Sequence, residues 1–227
     1  MQAFLLERGE RMKVFFASYG KVAVGVVVIL LGVVAFVQVA QSFAPRTLRV
    51  TFFDVGQGDA IFIQTPGGRD MLIDGGPNKN VLEELAREMR YGDKVIDVMV
   101  ATHGDADHVT GLIPVLEKYQ VNHIVTSPIP GASKIFDDLS AHVYEEGADV
   151  YVARRGDIID FGDGVVAHVL YPGAYVSPKT DTNDASVSLL VVYGEHSFLF
   201  TGDLTSVYES QVIRDVVPKK VTVYKAG

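Results

Sequence analysis

Thr102-His103-Gly104-Asp105-Ala106-Asp107-His108 is the most informative stretch of this sequence. It follows Val95–Ala101, a run that is apolar except for Asp97 and is typical of a strand buried on both faces. Two histidines and two aspartates thus fall within six residues at the end of a predicted strand, whereas a solvated loop with a capping aspartate would need no second histidine. We therefore predict metal ligands at His103, Asp105, Asp107 and His108.

The elements predicted around this stretch form an α/β layered domain. Short β-branched runs between Gly, Pro and Asp predict an antiparallel meander at Leu48–Phe53, Ala60–Gln64 and Met71–Ile73. A helix is predicted at Asp107–Tyr119, with Asp107 as its N-cap. Further strands are predicted at Asn122–Thr126, Asp149–Val152, Asp157–Asp160, Val165–Leu170, Val187–Tyr193, Ser197–Phe200 and Lys220–Tyr224, and further helices at Asn80–Arg90, Lys134–Tyr144 and Thr205–Asp215.

Two other polar stretches lie next to predicted strands. Asp203 follows the apolar run Phe198–Phe200, which places it at the carboxyl end of a strand. Asn183-Asp184-Ala185-Ser186 precedes the strand at Val187–Tyr193, and either Asn183 or Asp184 could approach a metal. Each stretch taken alone is also explained by a plain turn.

Composition excludes several kinds of chemistry. The 227 residues contain no cysteine, which excludes disulfide scaffolds, thiolate zinc sites, iron–sulfur clusters and cysteine nucleophiles. A metal must therefore be held by His, Asp, Glu or backbone groups. With 48% hydrophobic and 21% charged residues, the chain is not intrinsically disordered.

The first 45 residues differ from the rest of the chain. No charged residue occurs from Val22 through Ala44, a length that predicts a transmembrane helix over residues 21–44. Four Lys or Arg residues precede Val22 and two follow Ala44 closely, so residues 1–20 are predicted to be cytoplasmic and residues 45–227 extracytoplasmic. A cleaved signal peptide ending near Ser42-Phe43-Ala44 is the alternative, although its apolar run would be unusually long.

The ligand stretch resembles the signature of the metallo-β-lactamase fold, usually His-x-His-x-Asp-His, with Asp105 where the second histidine commonly sits. This replacement and the stretches Phe53–Ala60 and Leu72–Gly76 make the sequence similar to one group within that fold. The group is the C-terminal hydrolase domain of ComEC-type DNA-uptake competence proteins and their stand-alone relatives. The resemblance runs from about Leu48 to the end of the chain. It implies a metallo-β-lactamase-like αββα sandwich, preceded here by the single transmembrane helix.

The resemblance also implies roles for residues outside the ligand stretch. Asp74 resembles the buried aspartate that orients the ligands from a neighbouring strand, and Asp203 resembles the aspartate that bridges two metals. Asn183 and Ser186 match an Asn-x-x-Ser pattern of the competence-type proteins. Gly56-Gln57-Gly58-Asp59 opens no helix, so it is predicted to be a hairpin turn with Asp59 towards the site rather than a phosphate loop.

Family members continue past their last strand into a Lys-x-x-His-His-Gly-Ser segment that supplies the final metal ligand. This sequence ends at Lys225-Ala226-Gly227. The resemblance thus implies a hydrolase domain truncated at its C-terminus, which lacks one ligand and shows little or no activity as it stands.

The expected chemistry is metal-assisted hydrolysis by one or two divalent ions, zinc or manganese, with magnesium as an alternative. Asp107 is the predicted catalytic residue, holding a metal and orienting the attacking water. The resemblance implies a phosphodiester substrate such as DNA, but residues 46–227 hold 16 basic and 26 acidic residues, which argues partly against DNA. The alternatives are an amide or thioester hydrolase, and a membrane-tethered binding module with a degenerate metal site.

Overall fold

The structure is a computed structural model that describes residues 23–37, 47–216 and 220–227. The chain divides into two units, Met1–Pro45 and Arg46–Gly227. In the first unit, residues 23–37 form helix α1, and every one of these residues is exposed.

Helix α1 covers the central part of the membrane span predicted over residues 21–44. The rest of that span, and the predicted cytoplasmic segment 1–20, lie outside the described residues. Across the described ranges, no helix is both long enough and apolar enough to cross a membrane. The predicted transmembrane helix is therefore not supported by this part of the chain.

The second unit contains a six-stranded sheet in which the strands follow chain order. Its strands are β1 (Arg49–Phe52), β2 (Ile61–Gln64), β3 (Asp70–Ile73), β4 (Val95–Ala101), β5 (Gln120–Thr126) and β6 (Asp149–Val152). The first three strands are antiparallel, which confirms the predicted meander. From β3 to β6 the strands are parallel, so their carboxyl ends lie at one edge of the sheet.

A second, five-stranded sheet has the order β11-β10-β9-β8-β7. Its strands are β7 (Ile158–Asp160), β8 (Val165–Tyr171), β9 (Ser188–Tyr193), β10 (His196–Phe200) and β11 (Val223–Lys225). Neighbouring strands are antiparallel except for β10 and β11, which are parallel with Phe200 opposite Lys225. The last strand begins at Val223 rather than at the predicted Lys220, and it ends at Lys225.

Among the described residues of the second unit there are also five α-helices and a short 3₁₀ helix. They are α2 (Val81–Glu88), α3 (Ala106–Val109), α4 (Leu112–Leu116), α5 (Lys134–Glu146), α6 (Ser206–Val216) and the 3₁₀ helix Asn183–Ala185.

The single helix predicted over Asp107–Tyr119 is wrong, because the segment is divided into α3 and α4. At the division, the backbone N–H of Gly111 donates to the carbonyl of Gly76 at 2.9 Å instead of continuing a helix. A Cβ at Gly111 would lie 1.9 Å from the carbonyl oxygen of Gly75, so only glycine fits this approach. The predicted N-cap is also wrong, since Asp105 rather than Asp107 precedes α3.

Alternating side chains of the first sheet serve two separate cores. On β2, Phe62 packs in the core beneath α2, α4 and α5, whereas Ile61 and Ile63 point into the core between the sheets. On the outer face of the second sheet, Leu190 and Leu199 pack with Val212 of α6. The layers are thus helix, sheet, sheet and helix. Full burial of each large aliphatic side chain in these cores contributes about 1.5–3 kcal/mol to the free energy of unfolding.

Candidate metal centre

The candidate site lies where several strands end. Asp74 follows β3 directly, and Thr102 and His103 follow β4, its parallel neighbour. In the second sheet, Asp203 comes three residues after the end of β10. The fold therefore brings together side chains that are far apart in sequence.

Asp74 is fully buried and hydrogen-bonded on both oxygens. Its Oδ1 accepts from the backbone N–H of Thr102 at 2.8 Å, and its Oδ2 accepts from the Thr102 hydroxyl at 2.6 Å. Oδ2 also lies 2.8 Å from Nδ1 of His108. Asp74 has a φ of 57°, a left-handed conformation that Asp tolerates better than most residues, and this turns the chain sharply after β3. The structure thus places Asp74 where it orients the ligand stretch.

The Thr102 hydroxyl fixes the orientation of His103. Because this hydroxyl donates its proton to Asp74, it can only accept from Nδ1 of His103, which lies 3.0 Å away. The hydrogen-bond pattern therefore assigns the proton of His103 to Nδ1 and leaves a lone pair on Nε2. Burial lowers the pKa of His103, so the ring is neutral at neutral pH.

His108 links Asp74 to Asp203. While Nδ1 faces Asp74, Nε2 lies 3.3 Å from Oδ2 of Asp203. Burial opposes a charged ring, but the hydrogen bonds to Asp203 and Asp74 outweigh it and raise the pKa of His108 to about 10. The same hydrogen bond lowers the pKa of Asp203. With Nδ1 held by Asp74, Nε2 is the atom of His108 that is available for a metal.

The Nε2 atom of His103 is buried and has no hydrogen-bond partner within the part of the chain that the structure describes. Leaving a buried polar atom unpaired costs about 1–3 kcal/mol. The rings of His103 and His108 are 4.2 Å apart, and ligand atoms of these histidines and of Asp203 lie within 4.8 Å of one another. Two imidazoles and a carboxylate are ordinary ligands for divalent transition metals, so these residues fit such an ion.

Ligand atoms of Asp59, Asp74 and His108 form a second group with the same spacing. In this group both oxygens of Asp74 already accept hydrogen bonds, and the carboxylate of Asp59 pairs with the ammonium of Lys225. Burial raises the pKa of Asp59, although Lys225 opposes that rise. The group of His103, His108 and Asp203 is therefore the open one.

Asp105 and Asp107 lie beside the histidines rather than among them. Oδ2 of Asp105 is 3.9 Å from Nε2 of His103, and Oδ1 accepts from the Thr182 hydroxyl at 2.7 Å. Asp107 is partly buried and belongs to neither ligand group found among the described residues. Both aspartates line an open cavity of about 730 Å³ with Ser133, the N-cap of α5. The metal-binding roles of both aspartates stay predictions.

The 3₁₀ helix before β9 holds the remaining predicted candidates. Oδ1 of Asn183 is buried without a hydrogen-bond partner among the described residues. The carboxylate of Asp184 instead accepts from the Thr205 hydroxyl, just before α6. Neither residue is in the two groups of ligand atoms, so their approach to a metal stays a prediction as well.

Sequence reasoning assigned no role to Thr102, Thr182 or Lys225. Thr102 and Thr182 carry no signal of their own, because threonine is common in loops and at strand ends. Lys225 did carry one, since it matches the lysine of the Lys-x-x-His-His segment. Its contact with Asp59 depends on two strand ends from different sheets, which no local pattern reveals.

A four-layer αββα sandwich with histidines and carboxylates at one edge defines a class of metal-dependent enzymes. The family model of the metallo-β-lactamase superfamily matches residues 53–218, and the chain belongs to this superfamily. Its members are generally metal-dependent hydrolases that bind divalent metals.

Among characterised proteins, ComE operon protein 3 of Bacillus subtilis (strain 168) is 30% identical to this chain over 196 residues. The alignment covers 78% of this chain but 25% of that protein, so the chain spans about a quarter of its relative's length.

Two solved structures share the fold. A Cronobacter sakazakii metallo-β-lactamase, a HARLDQ motif mutant, is 14% identical with a TM-score of 0.51, and the match covers 78% of this chain and 76% of that one. MEM-A1, a subclass B3 metallo-β-lactamase isolated from a soil metagenome library, is 12% identical with a TM-score of 0.50, covering 78% and 75%. At these identities the likeness concerns the fold alone.

Proposed function

We propose that this chain is a metal-dependent phosphodiesterase of the nuclease type, with DNA as the first substrate to test. The observation that carries the metal-dependent part is the buried, unpartnered Nε2 of His103 beside His108 and Asp203. An atom of this kind is costly unless something binds it, and a divalent cation is the partner that all three side chains have in common.

His103, His108 and Asp203 would hold the ion, with Asp105 and Asp107 as further oxygen ligands at the rim of the cavity. A divalent ion bound here supplies Lewis-acid polarisation of the scissile group and makes water nucleophilic at neutral pH. Because carboxylates outnumber imidazoles in this set, manganese or magnesium suits it as well as zinc does.

The protein's own groups have separate tasks in this proposal. Asp74 orients His108 directly and His103 through the Thr102 hydroxyl, so both rings present Nε2 to the same small volume. Asp107 lines the cavity, and its task in this proposal is to orient the attacking water and accept its proton. A substrate in the cavity would lie against the ligand stretch, between it and the loop that contains Lys179.

The phosphodiester class is supported by the resemblance to the competence-type hydrolases and by the identity shared with ComE operon protein 3. Lys179 is a basic side chain on the cavity wall that could meet a phosphate. Residues 46–227 contain 26 acidic and 16 basic residues, and this negative net charge opposes DNA binding. Bound divalent ions would offset part of the negative charge locally.

The test is hydrolysis under single-turnover conditions. Excess full chain is incubated with end-labelled single- or double-stranded DNA and with manganese, zinc or magnesium, and a chromogenic lactam is assayed in parallel. We expect metal-dependent DNA cleavage that His103→Ala abolishes and that His196→Ala, at an exposed histidine of β10, retains. Lactam hydrolysis without DNA cleavage, or cleavage unchanged by His103→Ala, would contradict the proposal.

We also propose that residues 21–44 attach the chain to the cell membrane, with the hydrolase domain outside. In support, α1 exposes apolar side chains along its described length, including Ile29, Leu31 and Phe36 at 63–73%. Protease added to intact cells should then digest a tag placed at the C-terminus. A tag that stays protected until the cells are lysed would contradict this location.

A further inference from the structure

Lys225 reaches into the candidate metal centre from the end of β11. Its ammonium contacts the carboxylate of Asp59, lies 3.0 Å from the carbonyl oxygen of Gly202 and lies 3.5 Å from Oδ1 of Asp203. The side chain is 20% exposed, as is that of Asp59. A lysine in this position is part of the site rather than part of the solvated surface.

The backbone of Lys225 is held in place on both sides. The parallel pairing of β10 and β11 sets Lys225 opposite Phe200, three residues before Asp203. The hydroxyl of Thr201 lies within donating distance of two acceptors, the Lys225 carbonyl oxygen at 3.1 Å and Oε1 of Glu209 at 3.0 Å. Strand pairing therefore fixes the position of the Lys225 backbone, within side-chain reach of both carboxylates.

The two oxygens of Asp203 face different cations. Oδ2 lies 3.3 Å from Nε2 of His108, on the side of the open ligand group, whereas Oδ1 lies 3.5 Å from the Lys225 ammonium. A carboxylate can bridge two cations by turning one oxygen to each of them. Here the second oxygen, together with Asp59, already has a positive partner supplied by the chain itself.

We infer that the Lys225 ammonium takes the place of a second metal ion, so that the centre holds a single divalent cation. The inference deepens the proposed function and rests on it. The bridging of two metals that the resemblance implies for Asp203 becomes a bridge between one metal and Lys225.

The test counts bound metal on the full chain, independently of any activity. Wild type, Lys225→Met and the matched control Lys220→Met, at an exposed lysine before β11, are dialysed against a small excess of Mn²⁺ and analysed for metal and protein. We expect one ion per wild-type and per Lys220→Met chain. Lys225→Met should bind two, because Asp59 and the second oxygen of Asp203 are then free. Lys225→Arg keeps the charge and should bind one.

Electron paramagnetic resonance of the Mn²⁺-loaded wild type gives a reading that needs no variant. We expect the six-line spectrum of an isolated ion, and an exchange-coupled spectrum of a Mn²⁺ pair would overturn the role of Lys225. Two ions in wild type, or fewer than two in folded Lys225→Met, would also overturn it while leaving the proposed metal centre intact. Absence of binding to every protein would instead overturn the metal centre, and the role of Lys225 with it.

Discussion

Nδ1 of His108 lies 2.8 Å from Oδ2 of Asp74, although 34 positions separate the two residues in the chain. Both side chains are 1% exposed, so the contact is shielded from water. The same carboxylate accepts two hydrogen bonds from Thr102, next to His103. Asp74 therefore controls the orientation of both histidines, and the proposed metal centre depends on it.

Replacing Asp74 by asparagine should weaken metal binding by about 10–100-fold, since a carboxamide cannot accept all three hydrogen bonds and no longer stabilises the two histidines. Asparagine tolerates the left-handed backbone of this position, so no new strain is added. Isothermal titration with Zn²⁺ or Mn²⁺ measures the change. Asp54→Asn, at an exposed position, is the control and should bind like wild type. Equal affinities in the two variants would contradict the orienting role.

Thr102→Val should also reduce metal affinity by about tenfold or more, because the Nδ1 proton of His103 loses its acceptor and the tautomer is no longer fixed. Thr102→Ser retains the hydroxyl and should restore binding. Both variants are compared by metal titration after circular dichroism has shown that they fold. If valine and serine gave the same affinity, the hydroxyl would have no part in presenting His103.

Gly58→Ala should destabilise the fold more than Gly56→Ala does. Both glycines have left-handed φ values, 87° and 88°, so each substitution carries a backbone cost of about 1–2 kcal/mol. At Gly58 the added Cβ would also lie 1.9 Å from the carbonyl oxygen of Asp107, whereas at Gly56 it meets nothing within 4 Å. The clash should add about 1–3 kcal/mol, measured by urea unfolding. Equal losses would show that the two turns do not pack as the structure has them.

Asp70→Asn should stabilise the protein at pH 8 and have little effect near pH 4. Burial raises the pKa of Asp70 to about 6, above the usual value of about 3.9 in an unfolded chain. The stability linked to this group is fully present below about pH 4 and is lost as the pH rises to about 6, because the unfolded state releases its proton first. The difference in Tm between Asp70→Asn and wild type should therefore grow across this window. A difference that does not change with pH would contradict the raised pKa.

Much of the fold follows from local pattern in the sequence. The run Val95–Ala101 forms β4 with the predicted bounds, because an apolar segment of this length suits a strand enclosed by parallel neighbours. The division between α3 and α4 was not predicted, since it depends on the close approach of Gly111 to Gly75 from another part of the chain. Helical periodicity in the sequence does not reveal such a contact.

Part of the candidate site was also predictable from local sequence pattern. His103 and His108 lie in one short stretch after a strand, and the fold brings them together with Asp203 and Asp74. The contact of Lys225 with Asp59 was not foreseen, since it arises from tertiary packing of segments more than 160 residues apart. Oxygen and nitrogen ligands can be read from residue types, but their order around an ion cannot.

The most direct test of the metal centre is a crystal structure of the protein soaked with Mn²⁺ or Zn²⁺, with the ion located by its anomalous scattering. We predict a peak bonded to Nε2 of His103, Nε2 of His108 and a carboxylate oxygen of Asp203 at about 2.0–2.2 Å. A structure in which the ion binds elsewhere, with Nε2 of His103 still unligated, would contradict the account.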